Sequence, residues 1–295
     1  MKIIFSRKGF DSKYGGGASP IFPSGELLTL PIPEPFPGRH STQYKDICAS
    51  MQAGGLSLGT LVHDLTKGKI KPERFAHLDP DLNPSSIPRP ADWRPVFGQE
   101  GAAETHLQKH DVEKDDVFVF YGWFRKVELV SGTYRYVSGA LDLHVIFGWL
   151  QVEQRLCVDN PSEGTIPEWA RYHPHCQAAP YHPNSMYIST SRLQISGREI
   201  GLLGAGVFPR FDSKLCLTAS GQSRRSIWRL PSWFSPRSSC LSYHSKMCWW
   251  DREGDTVLLQ TASPGQEFVL DCQVYPEAIE WLYHLFSLSG ATQQT

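Results

Sequence analysis

The sequence predicts an α+β fold: a mixed or antiparallel sheet, or a partly closed β-barrel, with a few flanking helices. Three observations predict it. Two strongly apolar strand patterns, Val117–Phe124 and Leu143–Val152, face each other across a polar loop. Glycine (25) and proline (22) are both abundant, and proline clusters early, as in a loop-rich chain. One amphipathic helix is clear, over residues 276–289, where Ile279, Leu282, Tyr283 and Phe286 share a face.

Composition bounds the rest. A chain of 295 residues can bury a substantial core, and no repeat, low-complexity linker or charge run divides it. One domain over residues 1–295 is therefore expected. The formal net charge is -1, so no overall basic field draws the chain to nucleic acid; any such contact rests on a local patch or a small nucleotide. The seven cysteines are irregularly spaced without a C-x-x-C, which reads as reduced thiols in a cytoplasmic protein. The opening MKIIFSRKGF is too short for the apolar part of a signal peptide, and no run approaches the roughly 18 apolar residues of a membrane span.

Taken in order, Met1–Phe5 is a buried strand running into a charged, Gly-rich loop. That loop, from Ser6 and Arg7 to Asp11 and on to Gly17, either presents backbone N–H groups to an anion or is a turn with Arg7 paired to Asp11. No P-loop or dinucleotide fingerprint is present. Residues 18–37 are extended, Tyr44–Asp46 starts a short helical stretch, and Leu56–Leu65 has helical periodicity. His77 and Asp79 form H-x-D, either half of an iron-ligand set or a turn whose carboxylates cap amides. Trp93–His110 reads as a helix entered through Phe97-Gly98-Gln99. On it His106 and His110 stand four apart, but without the glutamate of a zincin motif or an obvious third ligand.

Each of the two apolar strands contains a Gly-Trp pair, Gly122-Trp123 and Gly148-Trp149. A glycine inside a strand marks a bulge or a close approach of backbone or ligand. The indole beside it either stacks on a base or fills a core; Trp123 is the candidate platform and Trp149 the core residue. The loop after Cys157 carries His173, His175 and His182, read as polar surface or, alternatively, as a metal or acid/base site. Ser185–Ile188 and Gly204–Phe208 read as strands or turns, and Leu215–Thr218 as another strand. Arg224, Arg225, Trp228, Tyr243 and His244 form the densest polar-aromatic stretch, suited to phosphate and base contacts or to a second core. A last strand follows Glu267.

The strands from Asp116 to Glu153 resemble those of PUA-like and EVE-type nucleotide-binding barrels over roughly forty residues. A broader resemblance spans nearly the whole chain. Its motifs are MKIIFSRKGFDS, SPIFPSGELLTLPIP, HLDPDL, FGQEGAAETHL, DVFVFYGWFR, LHVIFGWLQV, RSIWRLPSWF, LSYH and GQEFVLD. Together they look like the nucleotide-modification-associated domain family of the third type, predicted in bacteria and phages to act in DNA base hypermodification. That resemblance implies a nucleotide or DNA as partner; the cofactor stays open.

Within those motifs the expected site has Arg7 and Arg225 holding phosphate, with Ser6 among the nucleotide contacts, and Trp123 and Trp228 flanking a base. Gln99 and Tyr243 complete the nucleotide contacts, and His106 or His244 moves protons beside Asp11 or Glu267. The expected function is a nucleotide- or base-modifying enzyme or accessory factor. Two rivals stand beside it: a PUA-like reader without catalysis, and a metal-dependent oxygenase using His77, Asp79 and a distant histidine.

Overall fold

The computed structural model describes residues 1–36, 42–49, 57–160, 165–177, 181–262 and 267–289. Among them the main sheet has nine strands: β1 (Lys2–Arg7), β2 (Ser19–Ile21), β3 (Val96–Glu100), β4 (Val117–Val130), β5 (Thr133–Tyr136), β6 (Leu143–Cys157), β7 (Asn184–Ser189), β8 (Ala205–Val207) and β9 (Glu267–Asp271). Its spine runs β9-β1-β4-β6-β7-β3, with β2 and β5 added to β4 and β8 to β6. The sheet is mixed, since β1 and β2 lie parallel to β4 while the other pairs are antiparallel. Among the described residues no sheet closes into a barrel, so the barrel alternative falls and the α+β reading with a mixed sheet stands. Closure would need β3 to meet β9, and the sheet's spine leaves them at opposite ends.

Both faces of the spine are covered, which is why β1, β4 and β6 read as continuous apolar runs. On one face Phe5 lies 5.7 Å from Trp281 and Trp149 lies 5.4 Å from Phe286, both partners belonging to α3 (Glu277–Phe286). On the other, Phe97, Phe118 and Tyr187 pack together, and the Tyr187 hydroxyl donates at 2.8 Å to Glu104 of α2 (Gly101–Lys109). A shorter helix, α1 (Leu58–Leu65), is capped by Ser57, which accepts from Thr60 N, and buries Leu61 and Val62 in a separate apolar cluster.

The chain departs from its periodicity in two places. The stretch expected to be one helix from Trp93 is strand through Glu100 and helix only from Gly101, because Val96–Glu100 pairs along its whole length with β7. Leu215–Thr218 is not a strand: a 3-10 turn, Ser213–Leu215, is followed by single bridges at Cys216 and Thr218. Trp149 is core, as expected. No described helix is long and apolar enough to cross a membrane.

Both strand glycines answer to backbone, not ligand. A Cβ at Gly122 would stand 2.7 Å from the Lys8 carbonyl oxygen, and one at Gly148 would stand 2.8 Å from that of Gly206. Gly122→Ala should therefore force β1 and β4 apart and cost about 1–3 kcal/mol in a denaturant titration. An unchanged midpoint would contradict the close approach.

Candidate functional site

The C-terminal end of β1 is where the polar chemistry gathers. Successive residues there point to opposite faces of the sheet, Lys8 to one and Arg7 to the other. On the Lys8 side, Lys8 Nζ lies 3.9 Å from Asp79 Oδ2 and 3.5 Å from Glu267 Oε1, and 4.3 Å above the Phe97 ring. Asp79 is delivered by the 77–81 turn, which is hung from the backbone: His77 N donates to Ile32 O, and Asp81 exchanges both bonds with Val96. Its Oδ1 accepts from Gly98 N at 2.7 Å. Burial alone would raise the Asp79 carboxyl. The contact with His173, the charge of Lys8 and the neighbouring His175 outweigh it and hold the group well below the usual carboxylate range.

The histidine-rich loop expected at the surface is buried against this carboxylate. His173 Nε2 stands 3.4 Å from Asp79 Oδ1 and His175 Nε2 3.9 Å from Oδ2. The residues are 0% and 3% exposed. Behind the loop, Tyr172 donates to buried Asp81, which Arg89 also grips at 2.6 Å, and Trp93 Nε1 donates to Tyr172 Oη at 2.9 Å. Gly98 makes room, since a Cβ there would fall 2.3 Å from the His175 ring.

One atom each from His77, Asp79 and His175 lies within 4.8 Å of the others. The tautomers can be read from the partners. Glu34 Oε2 is 2.9 Å from His77 Nδ1, which puts the proton there and leaves Nε2 with its lone pair. Asn184 Nδ2 donates to His175 O, so the amide oxygen is what faces His175 Nδ1 at 2.9 Å, again freeing Nε2. Burial keeps His175 well below its ordinary value, neutral at pH 7. His173 Nδ1 accepts from His175 N at 3.4 Å, so its own proton sits on Nε2 and faces Asp79. Asp79 Oδ2 then remains for a cation. A cavity of about 300 Å³ adjoins this turn, with Leu27, Ile47, Asp79, Asp81 and Phe147 among its lining residues.

The network continues away from Asp79. Gln99 Nε2 donates to the Glu267 oxygen that Lys8 also faces. Ser242 Oγ takes the Val269 N–H at 2.8 Å and stands 2.9 Å from His106 Nε2 and 3.4 Å from Glu267 O. Tyr243, at a left-handed φ of 67°, stacks on His106 at 4.2 Å. Burial, with His110 and Lys109 adding to it, takes His106 down to about 4.

Of the residues expected at the site, His77, Asp79, Gln99, His106, Tyr243 and Glu267 thus fall in one connected group. Arg7, Asp11, Trp123 and Arg225 gather on the opposite face of β1. Asp11 is chiefly structural there: Oδ1 takes the N–H groups of Lys13 and Tyr14, and Oδ2 is 3.8 Å from Arg7. Ser6 Oγ is buried with no hydrogen-bond partner among the described residues. Two residues are placed where neither role is open to them. Trp228 is fully buried among Phe5, Tyr121 and Phe268, and has no free face for a base. His244 is equally buried, with Nδ1 on Ser242 O and Nε2 accepting from Ala262 N, so it holds the backbone. Sequence reasoning missed Lys8, Glu34, His144 and Asn184. It set His173 and His175 aside, although their H-x-H spacing was the available signal.

A mixed-sheet α+β protein with a buried histidine–carboxylate cluster at one strand end is the class that fold and site define. The chain belongs to the nucleotide modification associated domain 3 family, whose model matches residues 2–271 of 295. No curated protein and no solved structure matches it.

The lowered histidines have a consequence for stability. His106 and His244 sit at about 4 in the fold against about 6.5 unfolded, so the unfolded chain binds the extra protons. Their contribution is whole above pH 6.5 and is lost as pH falls toward 4. The buried carboxyls Asp81, Glu104 and Asp116, raised by burial, act in the opposite sense at the acidic end. Denaturant titrations at pH 7 and pH 5 should show a smaller drop for His106→Gln than for wild type; equal drops would refute the assignment.

Proposed function

We propose that this chain is a metal-dependent enzyme that modifies a nucleotide or nucleobase, with an iron(II) ion held by His77, Asp79 and His175. The observation that carries the reading is the convergence of those three ligand atoms within 4.8 Å, each ligand held by its own buried partner. Two imidazoles and one carboxylate are the donor set of mononuclear non-haem iron, which leaves further positions open to water or substrate. The family description supplies the substrate class, since it associates the domain with nucleotide modification.

The neighbours fit that use. His173 and Gly98 N–H hold Asp79 Oδ1, so Oδ2 is the ligand atom. Lys8 balances Asp79 in the metal-free protein and has Glu267 as its alternative partner. His106, neutral at pH 7, is a proton acceptor on the same network through Ser242 and Glu267. A non-catalytic reader is less well supported, because Trp228 is buried and Arg225 already covers one face of Trp123 at 4.1 Å.

Elemental analysis of protein purified without chelators should find close to one iron per chain. His77→Ala, Asp79→Ala and His175→Ala should each lose it, and His106→Ala should keep it. Glu34→Gln should weaken metal affinity roughly 10- to 100-fold by releasing His77. Gly98→Ala should act like a ligand mutation although it removes no donor, because its methyl displaces the His175 ring. Wild type holding no more metal than the ligand variants would refute the centre; zinc in place of iron would keep the centre and discard the oxygenase chemistry.

A further inference from the structure

The Arg7 face of β1 holds a second built site. His144 is 3% exposed, and its Nδ1 accepts from Trp228 Nε1 at 2.9 Å. The proton is therefore on Nε2, and that N–H has no hydrogen-bond partner among the described residues. Arg7 and Arg225 both lie close enough to push the His144 pKa down, after burial itself, and Arg7 also lowers that of Arg225. Register sets Arg7 beside Tyr121 and His144 beside Trp123, the His144 ring is 5.3 Å from Tyr121, and Arg225 lies over Trp123, so two guanidinium groups and a buried N–H donor share one face.

Arg225 is not a loose surface residue. The Thr218 hydroxyl accepts from His144 N at 2.8 Å and donates to Arg225 O at 2.9 Å, tying the arginine's backbone to the histidine's. The guanidinium lies 4.1 Å over the Trp123 ring and reaches Ser12 Oγ at 3.4 Å. The carboxylates nearby are already engaged: Asp11 with two backbone N–H groups and Arg7, Asp142 with Trp123 Nε1 at 2.9 Å and with Arg125 at 3.9 Å. Arg7, Arg125 and Arg225 against Asp11 and Asp142 leave this face positive. Arranged donors around a net positive charge, with one donor buried and unsatisfied, are what binds an oxyanion.

We propose that Arg7, Arg225 and the Nε2–H of His144 form a phosphate subsite, taking the phosphate of a free nucleotide or of a nucleic-acid strand beside the indole of Trp123. The nucleotide identity of the ligand rests on the function proposed above; the phosphate chemistry rests on these residues. The His77, Asp79 and His175 group lies on the opposite face of the same strand end.

Calorimetric titration of the full chain with the four deoxynucleoside 5′-monophosphates, the matching nucleosides and a short single-stranded oligodeoxynucleotide tests this. Phosphate-bearing probes should bind more tightly than nucleosides, and inorganic phosphate should compete. Arg225→Gln, shown to melt like wild type, should weaken them about ten- to a hundredfold and leave the nucleosides unchanged. Arg7→Gln repeats the measurement at a second position. Tighter monophosphate binding assigns a free nucleotide; tighter oligonucleotide binding assigns a strand, with a salt slope that falls by about 0.7 in the arginine variants. His77→Ala should bind nucleotide like wild type, so failure of the metal centre and of the phosphate subsite are separable. Equal affinity for monophosphate and nucleoside, or wild-type affinity in both arginine variants, overturns the proposal.

Discussion

The rest of the site depends on keeping the Asp79 carboxylate charged inside the protein. An ionised carboxylate taken from water is tolerated only where charge and hydrogen bonds surround it. Here the Gly98 N–H, His173 and Lys8 supply them from three separate segments. Each supplier is anchored in turn: Gly98 by the β3–β7 ladder, Lys8 by the end of β1, and His173 by the loop clamped through Tyr172, Asp81 and Arg89. Removing any one of them would leave charge unpaired in the interior, at a cost of about 3–5 kcal/mol. The same demand explains the buried Glu34 and Asn184, which a plain hydrophobic core would not contain.

Electrostatics alone would not give a ligand geometry; close packing does. Gly98, Gly122 and Gly148 stand where a methyl group would meet an imidazole, a carbonyl oxygen of the β1 end, and a carbonyl oxygen of β8. The first brings His175 against β3, and the second brings the end of β1, with Lys8, against β4. Because interiors are packed like crystals, these contacts restrict the donors to small displacements. The Gly-Trp strands therefore act on the site from behind. Trp149 is taken up by Phe208, Phe286 and the Leu203 carbonyl, and Trp123 is the indole of the two with charged neighbours, Asp142 and Arg225.

Much of the sheet was legible in the sequence. β1, β4, β6, β7 and α3 show the apolar runs or helical stripe that burial requires. The β3 strand did not, because Gly98-Gln99-Glu100 has no strand propensity and is held extended only by its pairing with β7. In the site, H-x-D was visible as a pair, but its third member lay 96 positions beyond Asp79 at His175, in a loop whose prolines and polarity suggested solvent. Second partners such as Glu34 and Asn184 have no local signature at all: a carboxylate or amide becomes an orienting group only through the fold. Trp228 and His244 show the converse error. Their types suit stacking and proton transfer, but burial and hydrogen bonds, Trp228 to the His144 ring and His244 to backbone, had already claimed them.

The alternation of β1 is what divides the labour. Phe5 and Arg7 share the face that carries Trp228, Tyr121 and His144, while Ser6 and Lys8 share the one that carries Phe97 and Glu267. A single register slip in the β1–β4 pairing would exchange the two sets, sending Lys8 to the guanidinium side and Arg7 toward Asp79. The parallel pairing with β4, five residues long and closed by Lys8 N on Tyr121 O, prevents that slip. It lies between two faces that are both buried, so every wrong register would bury a charge among aromatics. The strand that reads first as an ordinary apolar run is thus the element that assigns each charged residue its chemistry.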